Sequence, residues 1–360
     1  MPEPSLSRRQ MLATTLATGA ALAGVAPFAR SANKSGLFAG PVVIGEGEHS
    51  YEVIHDWAKL PPSHAFGNTH GVAVDADGLV HISHTVHASS QSGDAVCVFD
   101  PSGAFVRSWG PEYRGGAHGL TFHRSAEGQF LFHADCNTGL VRKTSLTGES
   151  VLDFPWPEAS GCYAAKAHYK PTNLAIVPHD ARSGGAVHPQ AGHVFIADGY
   201  GKSWIHEYDA SANYLRSFAG PGAERGQTAC PHGIMVDTRQ GEPRLVVADR
   251  SNRRLQYFSL DGRHLGFVTE GLRSPCHFDA FGDLLLVPDL EARITLLDKS
   301  DTPVAQLGDG TNFALRDKPR DQFIPGRFIA PHSACFDASG NIFVVEWVEI
   351  GRVTKLKKLS

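Results

Sequence analysis

A short pattern returns six times along the chain, and four of its copies carry a histidine at the same place. The copies read THGVAVD (69–75), AHGLTFH (117–123), PTNLAIVP (171–178), PHGIMVD (231–237), PCHFDAF (275–281) and PHSACFD (331–337). Their second residues are His70, His118, Thr172, His232, Cys276 and His332. If each copy opens the same strand of a repeated unit, these side chains converge. Neutral imidazole nitrogens suit Zn, Cu, Fe or Ni, and three of them with one vacant position describe a catalytic divalent-metal site. The competing reading is that each histidine hydrogen bonds a neighbouring unit. Cys276 could be a soft ligand, but no CxxC accompanies it, so it reads as a core-facing filler, as do Cys97 and Cys335 in their strands.

The elements that must position these residues are short strands. From His70 onward each copy is followed by further apolar runs separated by turns such as Asp75-Ala76-Asp77-Gly78 and Asp100-Pro101-Ser102-Gly103. Each repeat of 44 to 60 residues thus makes a small four-stranded meander, which is the signature of a propeller. The sixth copy has only three strands before the chain stops, and the isolated run Tyr51 to Trp57 supplies the missing one, removing an open edge. The expected fold is therefore all-β: a six-bladed β-propeller of four-stranded antiparallel blades, its last blade closed by an N-terminal strand. The expected organisation is a signal peptide at 1–31, a linker at 32–48 and the propeller at 49–360. Insertions at 155–170, 179–192 and 308–330 are expected near the mouth of the channel.

The composition agrees. Hydrophobic residues make up 42% and charged residues 19%, with 38 Gly and 22 Pro, as suits many strands and turns. A net charge of −4 offers no strong field for nucleic acid or an anionic membrane. The expected partner is a small-molecule or peptide substrate, bound by a monomer. The start of the chain carries Ser7-Arg8-Arg9-Gln10-Met11-Leu12 before the uncharged run Leu12 to Phe28, a pattern resembling a twin-arginine export signal, with an ordinary secretory signal or an anchor as the alternatives. Cleavage near Ala29-Arg30-Ser31 would place the mature protein in the periplasm or outside the cell, with no membrane attachment after processing.

The ends of the second strands return to the histidine side of each unit, and there stand His84, Asp135, Asp198, Asp249, Asp289 and Glu346. The carboxylates either orient ligand histidines, with Asp135, Asp198 and Asp249 as that outer layer, or cap the loops that follow. His84 and His87 are candidate substrate or metal contacts, whereas His81, of opposite strand parity to its apolar neighbours, is expected to be exposed.

From about Val72 to the C-terminus the chain resembles peptidyl-α-hydroxyglycine α-amidating lyase, within the wider NHL-repeat propellers. The likeness is most specific in DGYGKSWIHEYDASANYLRSFAGPGAERGQTACPHGIMVD (198–237) and VADRSNRRLQYF (247–258). What the resemblance implies is zinc on His118, His232 and His332, in alternate blades a third of a turn apart, with Tyr200 as catalytic base and His70 lining the pocket. The implied reaction cleaves the C–N bond of a carbinolamide to an amide and glyoxylate: a metal acidifies the hydroxyl and a base in reach takes its proton. Tyr200 would need a lowered pKa, which a nearby dication supplies; otherwise it is an aromatic packing at the channel mouth.

The departures concern the substrate. Thr85 stands where the family has its substrate-contacting arginine, and Arg114 or Arg327 are the candidates to replace it. Ala330 replaces a methionine. Ser333 replaces an aspartate, which puts the family's structural calcium in doubt. The family's disulfide positions correspond to Gly201, Val246, Tyr257 and a residue near His168. Two other readings stay open: a non-catalytic NHL-repeat propeller binding a peptide, glycan or protein at its mouth, and a calcium-dependent lactonase-like hydrolase, against which the imidazole-rich rim argues.

Overall fold

A computed structural model describes residues 40–310 and 313–359; the signal-peptide reading lies outside them. Six antiparallel sheets follow one another around an axis, each with its first strand innermost. Blade one comprises Thr69–Val74, Val80–His84, Val96–Phe99 and Phe105–Trp109, and blade two starts with Ala117–Ser125. Blades three to six start with Asn173–Ile176, Pro231–Asp237, Asp279–Phe281 and Pro331–Phe336. The expected six-bladed architecture is the one observed.

Closure of the last blade follows the expectation and extends it. Tyr51–Ile54 pairs antiparallel with Arg352–Lys358, with Ile54 opposite Lys355 and Tyr51 opposite Lys358. Beyond it Val43–Ile44 adds a fifth strand, so residues 40–48, expected as linker, belong in part to the propeller's sheet. Tyr51 is buried among Leu286, Leu296, Ile342 and Leu356, and Trp57 among Phe99, Phe343 and Val353. The N-terminal segment is thereby sealed into the apolar layers on both sides of blade six.

Apolar side chains fill each space between neighbouring blades, which has a consequence for parity: a middle strand is covered on both faces. His81 was expected to be exposed, yet it is fully buried, because the next blade covers its face of the sheet. It survives there by hydrogen bonding Asp75 through Nε2 at 2.9 Å, and Asp75 also accepts the backbone N–H groups of Asp77 and Leu79. The insertions divide between the two ends. Residues 155–170 and 308–330 connect consecutive blades at the histidine end, whereas 179–192, with its small hairpin Arg182–Ser183 and Ala186–Val187, joins the first two strands of blade three at the opposite end. Among the described residues no helix is long and apolar enough to cross a membrane.

At that opposite end Asp237 ties blade four to blade five. Its carboxylate accepts from Arg239 and Arg244 at 2.9 Å, and both arginines reach Asp301 at 2.7 and 2.8 Å. Burial alone would raise the Asp237 carboxyl, but the guanidinium partners outweigh it and hold the group below its usual range. A carboxyl lowered in the folded state adds stability above its unfolded pKa and loses it as pH falls through the folded value. Asp237→Asn is therefore expected to cost about 3–5 kcal/mol near neutral pH, as when one partner of a buried ion pair is removed. In urea titrations at stepped pH that gap should narrow below about pH 4; a gap that widens in acid would contradict the assignment.

Candidate metal centre

The four histidines stand at defects in their ladders. In blade one Thr69 pairs with His84 and Gly71 with Ser83, leaving His70 out of register. The same skip leaves out His118 in blade two and His332 in blade six, and in blade four the ladder jumps from Pro231 to Ile234 past His232. A bulge re-aims the unpaired residue, here toward the axis. The rings of His118, His232 and His332 form a nearly equilateral triangle with centroid separations of 4.8, 4.7 and 4.6 Å.

Each ring of the triangle is locked by the blade after it. His118 donates Nδ1–H to the carbonyl of Thr172 at 2.7 Å, His232 to that of Cys276 at 2.8 Å and His332 to that of His70 at 2.8 Å. A carbonyl only accepts, so Nδ1 must carry the proton and each Nε2 presents a bare lone pair. Odd-numbered blades thus supply carbonyls and even-numbered blades supply imidazoles, which explains why Thr172 and Cys276 need no histidine. The glycines after two of the histidines make the approach possible: a Cβ on Gly119 would lie 2.6 Å from the Thr172 carbonyl oxygen, and one on Gly233 would strike that of Cys276.

All three rings are buried, and burial keeps them neutral, pushing His118 down to about 3 and His232 and His332 well below the usual range. Against three lone pairs the site offers one nearby phenol. Tyr200 Oη lies 3.2 Å from Nε2 of His118 and 3.1 Å from that of His232, and its single proton serves one of them. Burial raises this phenol to about 12, with Arg250 opposing the rise, so in the protein alone it stays protonated.

His70 joins the cluster more closely than a pocket-lining role implies. Its ring is 4.8 Å from His118 and 4.6 Å from His332, and the nitrogens that lie within 4.8 Å of one another are those of His70, His118 and His332, with His70 standing where the expected set has His232. The sequence reading overlooked Arg250. Its guanidinium lies 5.3 Å from the Tyr200 ring and reaches Cys230 Sγ at 3.2 Å and Cys276 Sγ at 3.9 Å. The available signal was its position directly after Asp249, in the blade-four loop equivalent to the one that carries Tyr200 after Asp198. Cys276 is fully buried and its thiol is pushed up to about 12, so it is a neutral filler whose carbonyl does the work.

Several other expectations are corrected. Asp135, Asp198 and Asp249 do not orient the histidines, because they lie beneath the loops outside the axis and cap them. Asp135 accepts the N–H groups of Asn137 and Thr138; Asp198 those of Lys170 and Lys202 with the Tyr163 hydroxyl; Asp249 that of Ala229 with the Arg254 guanidinium. His84 turns into blade one, where Nδ1 accepts from Val86 N–H at 3.0 Å and Nε2 faces Cys97 Sγ at 3.5 Å. Thr85 accepts the Asn68 N–H. Arg114 is exposed, and Arg327 is spent on the Asp309 carbonyl, so neither is anchored on the cluster.

No family model matches the chain. NHL repeat-containing protein 3 of Homo sapiens is 26% identical over 277 residues, covering 72% of each chain. With the six blades, that likeness supports an NHL-repeat propeller family. Over a shorter stretch of 89 residues, 24% of the chain, this propeller is 34% identical to peptidyl-glycine alpha-amidating monooxygenase of Mus musculus, a match spanning 9% of that protein's length. Among solved structures, a streptogramin B lyase superposes on 88% of the propeller and 100% of its own chain with a TM-score of 0.56 at 12% identity. A putative gluconolactonase covers 86% and 94% with a TM-score of 0.54 at 13% identity. These two likenesses speak for the fold.

If the carbonyl contacts set the triangle, Gly119→Ala must push the Thr172 carbonyl off His118. The expected cost is about 1–3 kcal/mol, as for an overpacked core, with loss of the slowly exchanging His118 Nδ1–H resonance in proton NMR. An unchanged resonance would refute the locking role.

Proposed function

We propose that this propeller is an exported metal-dependent carbon–nitrogen lyase acting on an α-hydroxyglycine-type carbinolamide. The observation that carries the reading is the excess of lone pairs: three buried Nε2 atoms on clustered rings, their tautomers fixed by carbonyls, met by one phenol proton and a long contact from His70. Protonation cannot relieve that excess in a site where burial depresses every imidazole. A divalent cation would, and three neutral nitrogens fit zinc first among the ions of this class. When bound, the cation would supply the Lewis acidity that loosens a substrate hydroxyl proton.

The chain's own residues account for the rest. Tyr200 Oη, within reach of two of the nitrogens, takes the hydroxyl proton from its phenolate form, which a bound dication would favour by lowering the phenol's pKa. The substrate C=O then forms as the C–N bond breaks, the electron pair returns to nitrogen, and nitrogen takes up a proton to leave as the amide beside glyoxylate. Arg250, against the Tyr200 ring, favours the phenolate over the phenol. The 34% identical stretch shared with the amidating monooxygenase supports this reaction class, while the missing arginine at Thr85 points to a substrate held by other contacts. Export through a twin-arginine leader would carry the propeller folded, with its cation already in place.

Purified protein is expected to hold one metal ion per chain and to release glyoxylate from an α-hydroxyglycine peptide. His232→Ala should lose the metal, and Tyr200→Phe should keep it while kcat falls about 10²–10⁴-fold. Stoichiometric metal in His232→Ala would sink the centre. Bound metal without glyoxylate would leave the centre standing and remove the substrate assignment, favouring a binding propeller.

A further inference from the structure

The alternation of carbonyl and imidazole around the axis has one exception. Odd-numbered blades offer a carbonyl at the rim, and in two of them the side chain is committed elsewhere. Thr172 Oγ1 lies within reach of the carbonyls of Ala197 and Pro231, one of which takes its single proton, and the Cys276 thiol lies against the Ser274 carbonyl and Arg250. Blade one also offers its carbonyl, that of His70, to His332, but its side chain is a fourth imidazole. That ring lies over His118 with an interplanar angle of 35° and edge-on to His332 at 88°.

Its one side-chain partner is a candidate ligand of the same centre. His70 Nδ1 lies 3.4 Å from His332 Nε2, a long and therefore weak hydrogen bond. His332 Nε2 is already fixed as a lone pair by its other nitrogen's bond to the His70 carbonyl. Among the described residues, His70 is the one ring of the four that no backbone carbonyl locks. It also sits across the His118–His332 edge of the triangle, whereas Tyr200 spans the His118–His232 edge.

Resting on the metal centre proposed above, we propose that His70 is a fourth protein ligand, bound through Nδ1. It closes a three-imidazole site into a four-imidazole shell, and a substrate oxygen enters by displacing this one unlocked ring. Four neutral donors fill a tetrahedral site and leave no solvent position, in contrast to three donors plus water.

Cobalt(II)-loaded protein reads this directly, through its visible spectrum and without reference to turnover. Wild-type protein is expected to show the intense absorption of a four-coordinate ion that small anions such as azide hardly change. His70→Ala should still take up cobalt, with an affinity lower by more than the roughly 10–100-fold typical of losing an outer partner. Its spectrum should weaken as water enters and should respond to azide, and added imidazole should restore the wild-type bands. His70→Gln, keeping the bulk and the backbone carbonyl, should behave as His70→Ala does. If wild type takes up no cobalt, the metal centre falls and the fourth ligand with it. If wild type binds cobalt and both His70 variants leave the spectrum unchanged, the centre stands and the fourth ligand falls.

Discussion

The site depends on one hydrogen bond made three times: an imidazole Nδ1–H from one blade to the backbone carbonyl at the rim of the next. The bond fixes ring orientation and tautomer together, so that Nε2 of His118, His232 and His332 all face the axis as acceptors. Because the acceptor is main chain rather than a carboxylate, no negative charge is brought to the buried cluster. The lone pairs at its centre then meet the Tyr200 phenol proton, a long contact from His70, or a cation. Holding the imidazoles by backbone also makes their geometry a property of the blades rather than of flexible side chains.

That dependence sets what the fold must provide. Each carbonyl has to arrive within 2.7 to 2.8 Å of a ring on another blade, so neighbouring sheets must hold a constant spacing around the circle. The apolar layers between blades do this, and the N-terminal strand completes them by carrying Tyr51 and Trp57 into the two layers of blade six. His332 and His70 meet across the junction of the last blade with the first. A propeller left open there would lose one of the three locks.

Much of this is legible in the residues. Period-two apolar runs, Asp-x-x-Gly turns and the six returns of one pattern lead to six blades, and the odd strand at Tyr51 leads to their closure. Convergence of the histidines follows from the repeat alone. What the pattern hides is anything set by main chain or by a neighbour across a blade boundary. The bulges at the histidines and the carbonyls that lock them have no residue signature beyond the glycines at 119 and 233. Asp135, Asp198 and Asp249 look like partners for histidine but spend their oxygens on loop N–H groups one layer out. Parity misleads at His81 because both faces of a middle strand are covered, and at His84 because its ring turns into the blade. Arg250 sat within a recognisable stretch, yet its place beside Tyr200 depends on two loops from different blades meeting over the axis.

The central claim is that a cation is held by the Nε2 atoms of His118, His232 and His332 at the propeller axis. Anomalous diffraction from crystals of protein purified without chelator, recorded on both sides of the zinc absorption edge, tests it most directly. The predicted result is a single strong peak about 2.0–2.1 Å from Nε2 of each of His118, His232 and His332. An axis without anomalous density, or a peak held by side chains elsewhere, would contradict the account.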